Sequence, residues 1–274
     1  FPLPPFGVSL SLHPIPTEGP AIPVASLSLF RFDRLADRLW VIGQMGAARF
    51  ALRSESRALF WKLCGSGTGE GFTPRPNWQV WAILAVWPNE STARRAIAQS
   101  PVWTSWRKRA AEAWTLYLDP TTARGSWSGV NPFLPEGAPQ RLAPGEPVVA
   151  LTRATLRPRH LGGFWRRVPG ISHAIGDNAD VAFKIGIGEV PFLHQVTFSV
   201  WPDAKTLSAF AHADGPHARA VKAVRQEGWF AEELYARFRL LGVEGQWQGG
   251  NPLSHLPLSL PQTPDLPDPE RTAA

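Results

Sequence analysis

Residues 183–224, FKIGIGEVPFLHQVTFSVWPDAKTLSAFAHADGPHARAVKAV, decide how the rest of the chain is read. Two apolar runs alternate as strands do, Trp201-Pro202 stops the second because proline cannot donate to a ladder, and a helical segment opens at Gly215-Pro216-His217. Residues 62–88, KLCGSGTGEGFTPRPNWQVWAILAVWP, repeat these features in the same order: a Lys, a Gly-x-Gly-Glu turn, a strand and Trp87-Pro88. One unit is written twice. The copies align through Gly46 with Gly170, Glu70 with Glu189 and Trp87 with Trp201. The second copy carries histidines that the first lacks. His194 stands where the first has Val80, and His217 where it has Trp103, with His173 and His212 nearby.

Working outward, the proline-rich residues 1–25 read as an extended, weakly ordered leader. A strand at Ser26–Phe32 leads through Asp33, a helix cap, into a helix with Leu35, Leu39, Ile42 and Met45 on one face. Strands at Leu59–Cys64 and Gln79–Val86 follow, then a helix interrupted at Ser100-Pro101 and a strand at Trp114–Leu118, which makes 26–118 a βαββαβ unit. A Pro- and Gly-rich linker, 119–147, precedes a second unit over 148–249, with strands at Val148–Leu156, Val181–Ile187, Gln195–Trp201 and Leu234–Leu240. Its helices fall around His160–Val168 and, broken, at Ala204–Ala211 and His217–Gln226; residues 250–274 read as a disordered tail. A βαββαβ unit forms a four-stranded antiparallel sheet with helices on one face only. Two such sheets cover their bare apolar faces by packing together. The expected fold is α+β: two tandem ferredoxin-like repeats forming a dimeric α+β barrel within one chain.

Apolar residues at 44% and charged residues at 18% fit a globular chain able to bury a core. Thirteen tryptophans are far above ordinary use; most read as core, and the rest suit flat or long conjugated ligands. The formal charge of +6 comes from scattered arginines, and the one dense cluster, Arg107-Lys108-Arg109, is short. No basic run is interleaved with Gly and aromatics, so nucleic acid is not an expected partner, whereas an anionic membrane surface is. The single cysteine, Cys64, excludes an internal disulfide and a multi-thiolate zinc site. No apolar run reaches the length of a bilayer span.

The glycines at 65–70 lack the Lys-Ser/Thr of a phosphate loop and read as a turn, and Glu70 and Glu189 read as structural. No zincin or nucleophile-elbow pattern is present. The histidines are the better candidates. In α+β barrels that hold haem, a His on the second helix faces the cavity, so His217 is the expected axial ligand and His194 the second candidate. Cys64 competes as a thiolate, but its apolar strand, with Phe183 as the matching residue, favours inert packing.

Four runs then carry a family resemblance: FWKLCGSGTGEGF (60–72), WAILAVWPNESTARRAIAQSPVW (81–103), FKIGIGEVPFLHQVTFSVWPD (183–203) and DGPHARAVKAVRQEGWFAEELYARFRLLG (214–242). They resemble the spheroidene monooxygenases, the acyclic carotenoid 2-ketolases of purple photosynthetic bacteria, from about Leu27 to Trp247. The resemblance implies an O2-dependent monooxygenase that places a keto group at C-2 of spheroidene by two hydroxylations and loss of water. It also implies non-covalent b-type haem as cofactor, reduced ferredoxin as electron donor, and a location on the cytoplasmic surface of the inner or intracytoplasmic membrane. Within it, His217 or His194 binds the haem, and Trp81 and Trp201 are candidates to pack on the polyene. The alternatives are a carotenoid carrier without chemistry and a cofactor-independent oxygenase acting on a different substrate.

Overall fold

The computed structural model describes residues 23–69, 71, 73–133, 142–166, 180–212 and 227–257. Eight strands close into one antiparallel barrel in the order β1-β3-β2-β6-β7-β5-β8-β4. The strands are β1 Val24–Arg31, β2 Phe60–Gly67, β3 Pro76–Trp87, β4 Glu112–Gly125, β5 Val148–Leu156, β6 Phe183–Gly188, β7 His194–Trp201 and β8 Phe230–Gly245. Each half keeps the strand order of a βαββαβ sheet, and the halves meet edge to edge at two seams, β2–β6 and β4–β8. Closure removes the free edges that two separate sheets would expose.

The ladders fix which residues correspond. Val24 pairs with Trp87 as Val148 pairs with Trp201, and Phe60 pairs with Val86 as Phe183 pairs with Val200. Phe60 therefore matches Phe183, which makes Ile187, not Phe183, the counterpart of Cys64. Gly65 and Gly188 correspond and also pair across the seam, so the pseudo-twofold axis passes between them. Glu189 then matches Ser66, and the expected match with Glu70 does not hold; Glu70 itself lies outside the described residues.

Alternation sends one face of every strand inward. Leu27, Leu84, Leu116, Leu151, Phe198 and Phe238 form a filled, buried core rather than a channel. The opposite face of the first sheet carries Phe30, Trp81, Ile83 and Trp87 under α1 (Leu35–Arg53), α2 (Glu90–Gln99) and α3 (Pro101–Arg109), with Trp103 and Trp106 closing the layer. Two of these buried indoles are satisfied from below: Trp87 and Trp103 donate to the hydroxyls of Ser26 and Ser28. Asn89 caps α2 by accepting from the Thr92 N–H, and Pro101 opens α3 at a first-turn position where no N–H is needed. On α1 the buried positions are Val41, Ala48 and Leu52, while Leu35, Leu39 and Ile42 point to solvent. Of the four residues read as one helical face, Met45 packs against the core under the helices and the other three do not.

The stretches read as linker and tail contribute to the core. β4 runs on to Gly125, and the chain then enters WSGVNPF (127–133); β8 ends in the matching WQGGNPL (247–253). Each motif folds back on itself through a bridge, Trp127 to Val130 and Trp247 to Gly250, and plugs one barrel mouth with Trp127 and Phe133 or with Trp247 and Leu253. A glutamate of the other half clamps each plug: Glu112 accepts from the N–H groups of Gln248 and Gly249, and Glu232 from that of Gly129. Gly125 and Gly245 enter the plugs at φ 93° and 84°, and a Cβ at either would come within 2.1 Å of a carbonyl oxygen across the seam. In the second half, α4 spans Ala204–His212.

Candidate functional site

The two mouths are related by the pseudo-twofold but built from different chemistry. At the mouth plugged by Trp247, Ser66, Val80, Glu112 and Ile185 line an open cavity of about 660 Å3. The matching residues at the other mouth are Glu189, His194, Glu232 and Lys62, joined by Arg153 where the first half has Leu29. These longer side chains fill the corresponding space with an ionic network. Lys62 Nζ lies 3.0 Å from Glu189 Oε1, and Arg153 pairs with Glu232 and lies 3.7 Å from Glu189. His194 Nδ1 sits 3.2 Å from Glu189 Oε2, and the Arg153 guanidinium lies over the Trp127 ring at 5.6 Å.

Burial pushes the Glu189 carboxyl up, but polar hydrogens of His194, Trp127 and Lys62 outweigh that and leave its pKa at about 2, against an ordinary 4.5. Because the folded value is the lower one, this contribution is complete above the unfolded pKa and is lost as pH falls toward the folded pKa. The shift corresponds to about 3 kcal/mol. Glu189→Gln is therefore expected to lower the denaturation midpoint most at pH 6–7, with the gap to the parent closing on acidification toward pH 3. A gap independent of pH would mean that Glu189 is not held ionised in this way. Cys64, facing Glu189 across the seam, is fully buried, and desolvation together with that carboxylate pushes its thiol well up. It is a packed thiol, unsuited to serve as a thiolate ligand.

Outside the barrel, the helix-facing sides of the two sheets also differ. Where the first sheet presents Trp61, Leu63, Trp81 and Ile83, the second presents Lys184, Gly186, Gln195 and Thr197. Gly186 and Thr197 are smaller than Leu63 and Ile83, and Lys184 and Gln195 put polar chains where the first sheet has tryptophans. This makes the outer face a polar shelf, bordered by Trp201, which is buried against Phe210 and donates to Ser199. A groove of about 280 Å3 runs from this shelf across the β2–β6 seam, walled by Ile42, Met45, Trp78, Trp81, Trp165 and Phe192, with Gly65 and Gly188 in its floor and Glu189 and His194 at its side.

Of the residues expected at the site, Trp81 is buried in the helix layer with its edge on the groove, and its indole N–H donates to the Trp78 carbonyl. Trp201 belongs to the layer above the second sheet; neither indole enters the barrel core. His194 faces the barrel mouth and the groove, while His217 lies outside the described residues. Sequence reading missed Lys62, Arg153 and Glu232. Arg153 was detectable in principle, as a charge in phase with the buried Val149 and Leu151. Among the described residues no three His, Cys, Asp or Glu side chains gather as a metal site, and no helix is long and apolar enough to cross a membrane.

A closed eight-stranded barrel with helices packed outside both sheets defines a dimeric α+β barrel built by duplication. Solved aldoxime dehydratases share this fold at 10% identity, with a TM-score of 0.54 over 80% of this chain and 81% of that one. A second aldoxime dehydratase structure, in complex with butyraldoxime, gives 0.51 at 11% identity over 80% and 79%. No family model matches the chain. Curated relatives are closer in sequence. The spheroidene monooxygenase of Rhodobacter capsulatus is 58% identical over 233 residues, 85% of this chain and 96% of that protein. That of Cereibacter sphaeroides is 52% identical over 250 residues, 91% and 76%, and that of Rubrivivax gelatinosus 35% over 215, 78% and 81%. The chain belongs to the spheroidene monooxygenase family.

Proposed function

We propose that this protein is a haem-dependent monooxygenase that converts spheroidene and related acyclic carotenoids to their 2-keto products, with reduced ferredoxin as electron donor and the carotenoid drawn from the membrane. The observation that carries the proposal is the 58% identity to a spheroidene monooxygenase, which extends through both halves of the barrel. The aromatic groove supports it, because a long uncharged polyene needs a wall of indole and phenyl faces rather than hydrogen-bond partners.

On the second sheet Gly186 and Thr197 leave more room for a flat macrocycle than the first sheet's Leu63 and Ile83. His217 would hold the iron. Haem bound there supplies O2 activation, and two hydroxylations at the same carbon followed by loss of water give the ketone. The chain's own residues supply positioning. Trp78, Trp165 and Phe192 line the route of the polyene, the Gly65 and Gly188 floor lets it lie close to the sheet, and the apolar walls keep water out. The neighbouring ionic network fills its own mouth of the barrel and confines the substrate to the groove.

The test is the absorption spectrum of the protein expressed with ample haem, oxidised and then reduced under carbon monoxide. A Soret band with an imidazole-type CO shift is expected. A thiolate-type shift would contradict the buried Cys64 thiol. With no Soret band, the haem reading fails, and spheroidene turnover without haem then separates a metal-free oxygenase from a carrier.

A further inference from the structure

Four of the large apolar side chains that the fold leaves exposed, Ile42, Trp78, Val190 and Phe192, line one opening, and two more, Leu35 and Leu39, extend from Ile42 along α1. Leu35 (70% exposed), Leu39 (63%) and Ile42 (39%) form a stripe along the outer face of α1 at helical spacing. Across the groove stand Trp78 (53%), Val190 (38%) and Phe192 (45%), the last at the β6–β7 turn with a φ of 67°. A non-glycine residue rarely adopts that conformation, and here it turns an aromatic ring outward beside the groove. The rim is cationic: Arg49 lines the groove, and Arg75 and Arg166 are exposed nearby. Among the described residues the one acidic side chain lining the groove, Glu189, is already paired with Lys62.

We infer that this face docks on the surface of an anionic lipid bilayer, with the α1 stripe and the Val190–Phe192 turn set among the acyl chains and the groove opening directly into the membrane. The inference rests on the reading of the substrate as an apolar polyene and adds to it the surface and route by which such a molecule enters. A stripe of large apolar side chains flanked by arginines matches an interface that is apolar within and anionic at its headgroups. Soluble surfaces rarely gather so many exposed side chains of this kind in one place. Extraction then needs no passage through water: the polyene slides from the acyl chains past Ile42 and Phe192 toward the shelf.

The test uses the full chain and vesicles of phosphatidylcholine with or without phosphatidylglycerol. Flotation is expected to show binding that rises with anionic lipid and falls at high salt. Leu35→Glu combined with Leu39→Glu should weaken it at least tenfold, while turnover of detergent-solubilised spheroidene is unchanged, since neither residue lines the groove. An independent measurement exploits the burial of Cys64. Leu39→Cys offers a single reactive thiol for an environment-sensitive dye, whose emission should shift to the blue on vesicles. The same dye at Arg95→Cys, on α2 beside the β4–β8 seam where Arg94 meets Glu244, should not respond. Unchanged vesicle binding in the double variant with no shift at position 39 overturns the inference. So does a stable dimer that dissociates in the double variant, which would make a second copy the occupant. Lipid binding located at this face without turnover of spheroidene in detergent would leave the docking surface standing and remove the substrate reading.

Discussion

Arg153→Leu, which restores the residue of the first half at this position, is expected to cost about 3–5 kcal/mol of folding stability, the range for removing one partner of a buried ion pair. Arg153 is 1% exposed and is the cation between two carboxylates, Glu232 and Glu189. Its loss leaves Glu232 with only the plug's N–H and hydroxyl donors and Glu189 with Lys62 and His194. The informative comparison is a quadruple variant, Lys62→Ile, Arg153→Leu, Glu189→Ser and His194→Val, which rebuilds this mouth from the residues of its twin. Removing Lys62, Arg153, Glu189 and His194 together leaves Glu232 as the one carboxylate of the network, held by the plug's Ser126 and Gly129 as Glu112 is held by the other plug. Part of the lost stability should therefore return, and the deficits should be strongly non-additive. Denaturant midpoints decide the matter. If the quadruple variant is as unstable as the sum of its parts, the network is not a self-contained electrostatic unit.

His217→Ala is expected to abolish haem binding and turnover, while His194→Ala keeps the Soret band. In the sequence alignment of the two copies His217 is matched with Trp103, which is fully buried over the first sheet against Trp87. Where the first sheet presents Leu63 and Ile83 beneath its helix layer, the second presents Gly186 and Thr197, which leaves more room for the haem that we propose His217 holds. His194, by contrast, occupies the position of Val80, faces the barrel mouth and is engaged with Glu189. The readout is the haem-to-protein ratio after purification, with exogenous imidazole tested for rescue of the His217→Ala spectrum. Loss of haem in His194→Ala alone would move the iron to the groove side of β7.

The duplicated βαββαβ pattern, the helix break at Ser100-Pro101 and the Trp-Pro strand ends were legible because each follows from local rules: alternation, missing donors and caps. The register between the copies was less so. Gly-x-Gly-Glu occurs twice, and matching those letters aligned Glu70 with Glu189, whereas the ladders put Ser66 there. The α1 stripe obeys helical periodicity, yet periodicity cannot say which side a sheet covers, and the small residue Ala48 turned out to be buried instead of Leu39. The plugs were missed for a different reason. Trp-x-Gly-x-Asn-Pro recurs at 127 and 247, but its proline and glycine content reads as linker. The ionic network lies further from view. Lys62, Arg153, Glu189 and Glu232 belong to four strands from both halves, and only barrel closure brings them together.

The crossed plugs also set the order in which the molecule can be completed. The first half can form its own four-stranded sheet as it leaves the ribosome, but the glutamate that secures its plug is Glu232, and the plug for the opposite mouth comes last, at Trp247–Leu253. Both mouths therefore stay unsealed until the second half has been made through residue 253, a closure set by contacts distant in the chain. A ribosome stalled anywhere before residue 230 holds an open half-barrel with its apolar face bare. Such a nascent chain would be a natural client for chaperones that shelter unpaired sheets.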